Sequence, residues 1–425
     1  MDIRMNIENP IVPEQTVTGD AVQIMRAAWN AALPDTAVEK ALAELPPCGG
    51  RLILVAAGKA AWQMAYAAHR TLGDRVDAGI VITKHDHAQG PIGDLLIREA
   101  GHPVPDADSY SATQEAIELI EDLKPEDLVL FLLSGGGSAL FEKPLISPEE
   151  MDDITHQLLA SGADIVEMNT VRKRLSAVKG GKFAQLCAPA KVFSVVLSDI
   201  LGDPLDMIAS GPAYPDSSTC EQAQAIAAKY RLRLSEEASR LLAQETPKQL
   251  DNVESRITGS VRQLCAAAAE TAVGLGYTPV VLTASLSCEA REAGSFLASI
   301  AQYYIGSGRS LAFIAGGETV VHLTGKGMGG RNQEIALAAA KGIDGFANTL
   351  VFSMGSDGTD GPTDAAGGVV TGETAERLRA AGWDIDAVLQ NNDAYHALQA
   401  ADGLVFTGPT GTNVNDLSCL LLRGG

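Results

Sequence analysis

The sequence predicts an α/β protein of two α/β domains, the first a Rossmann-like, mainly parallel sheet flanked by helices. Three observations predict it. Short Val/Ile/Leu runs alternate along the chain with alanine-rich segments of helical spacing, the order expected of βα units. At 425 residues the chain exceeds one ordinary domain. Several apolar runs end in glycine turns that open helices, which is how α/β proteins offer backbone N–H groups to phosphate.

Composition narrows the classes further. Apolar residues make up 46 % and charged residues 20 %, an ordinary globular balance. The formal net charge of −21 argues against a nucleic-acid partner, which usually meets a basic surface. It also means that an anionic substrate must be captured by local positive charge. The six cysteines show no CxxC or metal-ligand spacing and read as reduced thiols of a cytoplasmic protein. MDIRMNIENP lacks the apolar core of a signal peptide, and no apolar run approaches the ~20 residues of a membrane span. A homodimer is compatible with the sequence, which leaves the oligomeric state open.

Taken in order, residues 18–45 carry Ala21, Ile24, Met25, Ala28 and Ala32 at helical spacing, with Pro34 splitting two helices. Residues 51–58 read as a strand and tight turn, with Lys59 opening the next helix. A lysine there opposes the helix dipole, and it makes better sense beside an anion. A second strand covers 79–84 and leads into His85-Asp86-His87, read as loop histidines because no third metal ligand has matching spacing. A third strand covers 95–100, with a rigid proline loop from Gly101 to Asp106. A helix over 109–123 has Ser109 or Ser111 as its cap. Residues 127–133 form the most buried-looking strand and run into Ser134-Gly135-Gly136-Gly137-Ser138, a turn suited to anion binding.

A helix over 149–160 precedes 168–182, which holds five basic residues and no acidic one. Read as one helix, it places Arg172, Ser176 and Lys179 on one face, with Lys182 beyond; this is a candidate anion-facing cluster. A fifth strand over 191–197 ends near Asp199, where α/β sites form. After helix 220–245, the polar, proline-broken stretch 246–256 reads as a linker, giving domains at 1–250 and 251–425. The second domain continues with helix 260–275, strand 279–283, helix 288–306 and strand 310–315. It closes with helix 373–381 and a strand over 404–406.

Ala315–Gly368 is the richest stretch, with thirteen glycines in 54 residues against 43 in the whole chain. Its loops carry Glu318, Arg331, Asp357, Asp360 and Asp364. It contains a literal GxGxxG at Gly325, Gly327 and Gly330. Three features oppose a dinucleotide site: the late position, Arg331 at the helix mouth, and carboxylates that hydride transfer does not require. Carboxylates beside phosphates do make sense if Mg²⁺ bridges them. No Walker A pattern occurs. Phosphoryl transfer needs backbone donors, cations and a metal held by carboxylates, and the two halves of the chain supply such parts. Sites between two α/β domains are common.

AAGKAA around Lys59, LLSGGGSAL from Leu132, MNTVRKRLSAVKGGKFA from Met168, LSDILGDPLDMIASGP from Leu197, GGETVVHLTGKGMGGRNQE from Gly316, GSDGTDGPTDAAGG from Gly355 and TGPTGTNVNDL from Thr407 are similar to the signature blocks of one family. The chain resembles, over nearly its whole length, the class II glycerate kinases, which carry a C-terminal MOFRL domain and have been named hydroxypyruvate reductases. The resemblance implies phosphorylation of D-glycerate to 2-phosphoglycerate (EC 2.7.1.165) with ATP and Mg²⁺, in a cleft between two α/β domains. It places the proposed catalytic lysine and arginine on Lys59 and Arg331.

The expected roles follow from resemblance and chemistry together. Lys59 and Arg331 neutralise the moving phosphoryl group or the glycerate carboxylate. Asp357 takes part in catalysis, and Asp199, Glu318 and Asp364 hold Mg²⁺. Ser134, Gly135, Gly136, Gly137, Ser138, Arg172, Lys179, Lys182, Gly329 and Gly330 bind ATP or glycerate, without a division between the two. The rival readings are an NAD(P)H-dependent hydroxypyruvate reductase using Gly325–Gly330, and a non-catalytic acidic binding protein.

Overall fold

The computed structural model describes residues 5–6, 16–198, 205–408, 410 and 412–424. Two units emerge: Ala37–Thr258, and Met1–Thr36 together with Gly259–Gly425. The first strand, β1 (Met5–Asn6), belongs to the second of these.

In the unit Ala37–Thr258, the apolar runs become β2 (Leu52–Ala57), β3 (Ala78–Lys84), β4 (Leu96–Ala100), β5 (Leu128–Leu133), β6 (Lys191–Leu197) and β7 (Val253–Thr258). They form one sheet in the order β4-β3-β2-β5-β6-β7, and every adjacent pair is parallel. This is the Rossmann order, with its reversal between β2 and β5. Every residue of those two strands is buried, as a parallel strand covered on both faces requires. Phe131, Phe141 and Phe183 form an aromatic cluster in the core, with Phe183 centred 4.8 Å from Phe131 and 5.0 Å from Phe141. Complete burial of one such ring contributes about 1.5–3 kcal/mol.

Four expectations change here. Residues 253–258 are not linker: β7 pairs with β6 from Val192–Val253 to Leu197–Thr258. As an edge strand it needs little apolar patterning, and most of it is only half-buried. The basic stretch is not one helix, since Ile165–Leu175 ends where Ser176 turns extended (φ −105°, ψ 145°) and a separate short helix spans Lys182–Leu186. The segment 220–245 is two helices, Cys220–Lys229 and Glu236–Leu242. The helix expected from Ser109 starts at Ala107; Asp106 caps it, and Ser109 Oγ accepts in return from the Asp106 N–H.

The second unit is built on β8 (Thr278–Leu286), β9 (Leu311–Gly317), β10 (Thr349–Gly355), β11 (Gly367–Thr371), β12 (Leu404–Phe406) and β13 (Asp416–Leu422), with β1 at one edge. The order is β1-β12-β11-β10-β13-β9-β8. The four pairs from β12 to β9 are antiparallel, and β1–β12 and β8–β9 are parallel. The sequence reading has no strand at β11 or β13, yet β13 is fully buried between β10 and β9.

The first helix, Val17–Ala32, also belongs to this second unit rather than to the one expected from its place in the sequence. It packs along the helix Val261–Gly274 and reaches β10 and β13. Its buried Asp20 accepts hydrogen bonds from Tyr277 Oη and from Arg423 Nη1, both at 2.6 Å. Leaving that carboxylate buried and unpaired is costly, so the ion pair ties the helix to residues far along the chain. The chain therefore divides at 36/37 and 258/259, not at 250/251.

Candidate functional site

The candidate residues form two groups, one in each unit. In the unit Ala37–Thr258 they gather where the strand order reverses, at the carboxyl ends of β2 and β5. Ligands of open α/β sheets bind at such a point. The Lys59 N–H donates to Gly135 O at 2.8 Å, the Ala60 N–H to Ser134 Oγ at 3.1 Å, and the Ser134 N–H to Ala57 O at 3.0 Å. These bonds tie the two turns together. Gly136 is left-handed (φ +84°), and a methyl group there would lie 3.0 Å from both Lys59 Cγ and His102 Cδ2. Only glycine lets the turn approach those side chains so closely. Among the described residues, the Lys59 ammonium and the amide N–H groups of Gly135 and Gly136 have no hydrogen-bond partner. A half-buried cation and unpaired donors together make this turn suited to an anion.

Other expected ligands in this unit are engaged internally. Ser134 Oγ is taken by the Ala60 N–H, and Ser138 Oγ lies 3.1 Å from Ser210 Oγ, which donates to Asn169. Lys179 is fully buried, donates to Phe141 O at 3.1 Å, and sits 3.5 Å from the buried Glu142 carboxylate. Lys182 donates to Ser176 O at 2.6 Å and Arg174 O at 3.1 Å. Burial pushes both ammonium groups down to about 8. Lys173 and Arg174 pair with Asp216 at 3.0 and 3.7 Å. The basic run is thus compensated by carboxylates remote in sequence, which explains why it stands out on paper. Arg172 is the member nearest the turn, 3.5 Å from Ser138 O and 3.6 Å from Glu142. Asp199 lies outside the described residues.

In the second unit, strand register assembles the group. Asp416 opens β13 and stands opposite Gly317 at the end of β9 and Gly355 at the end of β10. Glu318 and Asp357 follow those two strand ends. Arg331, the first residue of the helix Arg331–Gly342, donates through Nε to Asp416 Oδ2 at 2.5 Å and through Nη2 to Oδ1 at 3.1 Å. Its Nη1 donates to Glu318 at 3.0 Å. Burial pulls the guanidinium pKa down, but the Asp416 hydrogen bonds and the charges of Asp416, Glu318 and Asp360 outweigh it and hold it above the ordinary value. Arg331 is consequently a fixed cation whose orientation Asp416 sets.

Asp360 decides the meaning of the GxGxxG. Its carboxylate accepts from the backbone N–H groups of Asn332 (3.1 Å) and Gln333 (2.8 Å). It therefore fills the helix N-terminus where a dinucleotide pyrophosphate would sit. Burial is the main reason its pKa rises to about 7. The glycines are needed for packing: a methyl group on Gly325 would lie 2.2 Å from Asn391 O, and one on Gly330 2.2 Å from Asp360 Cγ. Gly329 likewise lies against Ala394. Asp360 thus takes the Asn332 and Gln333 N–H groups, while those of Gly329 and Gly330 have no hydrogen-bond partner among the described residues.

Mg²⁺ prefers oxygen donors and often takes only one or two carboxylates, with water and substrate phosphates completing its shell. Glu318 and Asp357 each keep one carboxylate oxygen without a protein donor among the described residues. That donor set fits the ion. Asp364 is exposed and accepts from Tyr395 Oη at 2.7 Å. Among the described residues, neither Glu318 nor Asp364 falls in a cluster of three metal-ligating side chains.

Asp416 and His102 went unassigned in the sequence. Asp416 had a faint signal, a lone acid opening an apolar run near the chain end. His102 had none, since proximity to Lys59 and Gly136 exists only in the fold.

A Rossmann-order sheet with a lysine and a glycine turn at its switch point, joined in one chain to a mixed sheet bearing a carboxylate-held arginine, defines a two-unit α/β protein equipped for anionic ligands. Residues 20–243 match a domain of unknown function (DUF4147), and residues 311–416 match the MOFRL family. The D-glycerate 2-kinase of Thermotoga maritima is 53 % identical, covering 93 % of this chain and 96 % of its own. A relative from Agrobacterium vitis with a provisional hydroxypyruvate reductase name is 41 % identical, over 88 % of this chain and all of its own. A crystal structure of the glycerate kinase (EC 2.7.1.31) of Thermotoga maritima superposes with a TM-score of 0.91 at 52 % identity, covering 95 % of this chain and 98 % of that one. The chain belongs to the MOFRL-containing glycerate kinase family.

Proposed function

We propose that this protein phosphorylates D-glycerate with ATP and Mg²⁺ and releases 2-phosphoglycerate. The observation that carries this reading is the near full-length relationship to a D-glycerate 2-kinase, spanning both units. The geometry supports it. Lys59 and the Gly135 and Gly136 N–H groups offer charge and donors to a phosphate or carboxylate. Arg331, oriented by Asp416, offers a second cation. In phosphoryl transfer, positioning and charge stabilisation do most of the work. Glu318 and Asp357 hold Mg²⁺, which supplies neutralisation of charge on the phosphate oxygens. A reductase reading gains no support from the GxGxxG, because Asp360 occupies its helix N-terminus.

The finer assignment, the 2-phosphate product, rests on the names of two relatives while a structural neighbour bears EC 2.7.1.31. Incubation with ATP, Mg²⁺ and D-glycerate, coupled to enolase without phosphoglycerate mutase, tests it. A direct enolase signal is expected. A signal that appears only after mutase is added means phosphorylation at the 3-position. Oxidation of NAD(P)H with hydroxypyruvate, in the absence of ATP, would restore the reductase reading.

A further inference from the structure

The loop after β4 adds a group to the switch-point turn that the reaction as described leaves unused. His102 stands beside Gly136 and Lys59: a methyl group on Gly136 would lie 3.0 Å from His102 Cδ2, 3.1 Å from its Nε2 and 3.0 Å from Lys59 Cγ. Loops after β2, β4 and β5 therefore meet here. The ring is half-buried and, among the described residues, has no hydrogen-bond partner. The neighbouring His85, by contrast, is 2.9 Å from Asp106. A half-buried imidazole with open nitrogens, beside a cation and unpaired amide donors, is placed to meet a ligand rather than to support the fold.

We propose that His102 is a further catalytic residue, whose imidazole accepts the proton of the substrate hydroxyl as that oxygen attacks the γ-phosphorus of ATP. The inference rests on the kinase reading. In this step a bond forms between the hydroxyl oxygen and the γ-phosphorus. The bond from that phosphorus to the β–γ bridging oxygen breaks, and ADP leaves with its electron pair. The proton moves to the unprotonated ring nitrogen, and the imidazolium later returns it to solvent.

The surroundings keep the ring neutral and able to accept. Burial lowers its pKa below 6.5, and Lys59 after β2, Lys84 at the end of β3 and His87 in the following loop lower it further. The turn after β5 brings no titratable side chain, and Asp106 on the histidine's own loop is engaged by His85 and by the helix cap it makes. A positioned general base contributes about 10²–10⁴-fold.

The test compares wild type, His102→Gln and His102→Ala in the coupled assay with ATP, Mg²⁺ and D-glycerate across pH 5 to 8.5. Melting temperatures are recorded alongside. His102→Gln is expected to lower kcat by about 10²-fold, leave KM for ATP within about twofold, and lose the acidic limb of the wild-type kcat/KM profile, which lies below about 6.5. Added imidazole should restore part of the activity of His102→Ala, which a purely structural role would not allow. An active wild type whose His102→Gln variant keeps kcat and the acidic limb overturns this proposal alone. So does a loss confined to KM, or a folded His102→Ala protein that imidazole does not rescue. A wild type silent with ATP and D-glycerate overturns the kinase reading and this proposal with it.

Discussion

Arg331 and Asp416 meet through two hydrogen bonds, at 2.5 and 3.1 Å, although 85 residues separate them. Asp416 is 5 % exposed, and the pair fixes the plane of the guanidinium at the start of its helix. Asp416→Asn keeps the size of the side chain and removes the charge. Expected are a loss of about 1.5–3 kcal/mol in urea unfolding and a drop of about 10²-fold in kcat/KM from misplacement of Arg331.

Arg331→Lys keeps the charge but loses the planar fork that engages Asp416 and Glu318 simultaneously. A fall in kcat/KM of about 10²–10³-fold is expected, the usual effect of removing one preorganised charge partner. Near-normal steady-state turnover would remove Arg331 from the reaction.

Lys59 behaves differently, because its ammonium has no protein partner among the described residues. Lys59→Met should leave stability within about 0.5 kcal/mol while activity falls about 10²–10³-fold. Thermal unfolding and kinetics on one preparation check both. A large change in melting temperature would mean that Lys59 supports the fold instead.

Lys179 presents the opposite case. It is buried against Glu142 and Phe141 O, with Arg172 as the carboxylate's other cation. Lys179→Met should cost about 3 kcal/mol, the low end for breaking a buried pair, because Arg172 remains. The folded fraction should keep its KM values for ATP and D-glycerate, measured at a temperature below its unfolding transition.

Asp360 makes stability depend on pH. Its folded pKa, about 7, lies above the ordinary value of 3.8 because of burial, so the folded state binds the extra proton between them. Its contribution therefore favours folding at low pH and is lost as pH rises from about 4 to about 7, by at most about 1.4 kcal/mol per pH unit. Urea unfolding of wild type and Asp360→Asn at steps from pH 4.5 to 8 isolates it: the difference between the two should change across that window and level off above it. A constant difference would mean that Asp360 stays ionised throughout.

Much of the first sheet was legible because its strands are hydrophobic runs closed by glycine turns. Leu52–Ala57 and Leu128–Leu133 could be read directly, and Lys59 and Ser134–Ser138 were found at their ends. β7 was not legible, since an edge strand such as VESRIT needs no apolar period. β13 was missed although it is strongly apolar, because pattern alone does not say that a run near the chain end enters the middle of a sheet. The partners of the basic run 172–182 were not legible for a related reason: spacing shows which charges are close along the chain, whereas Glu142 and Asp216 pair with Arg172, Lys173, Arg174 and Lys179 through space.

By itself, the sequence determined the α/β class, the strands buried on both faces, the family, and the presence of Lys59 and Arg331 at helix mouths. These depend on local patterns of hydrophobicity, glycine and charge. Only the tertiary structure decided that Val17–Ala32 joins the second unit, that Asp360 takes the first N–H groups of the helix after the GxGxxG, that Asp416 aims Arg331, and that His102 stands beside Lys59. Each of those depends on burying a charged or polar group, and its free energy is set by partners that only folding brings within hydrogen-bond reach.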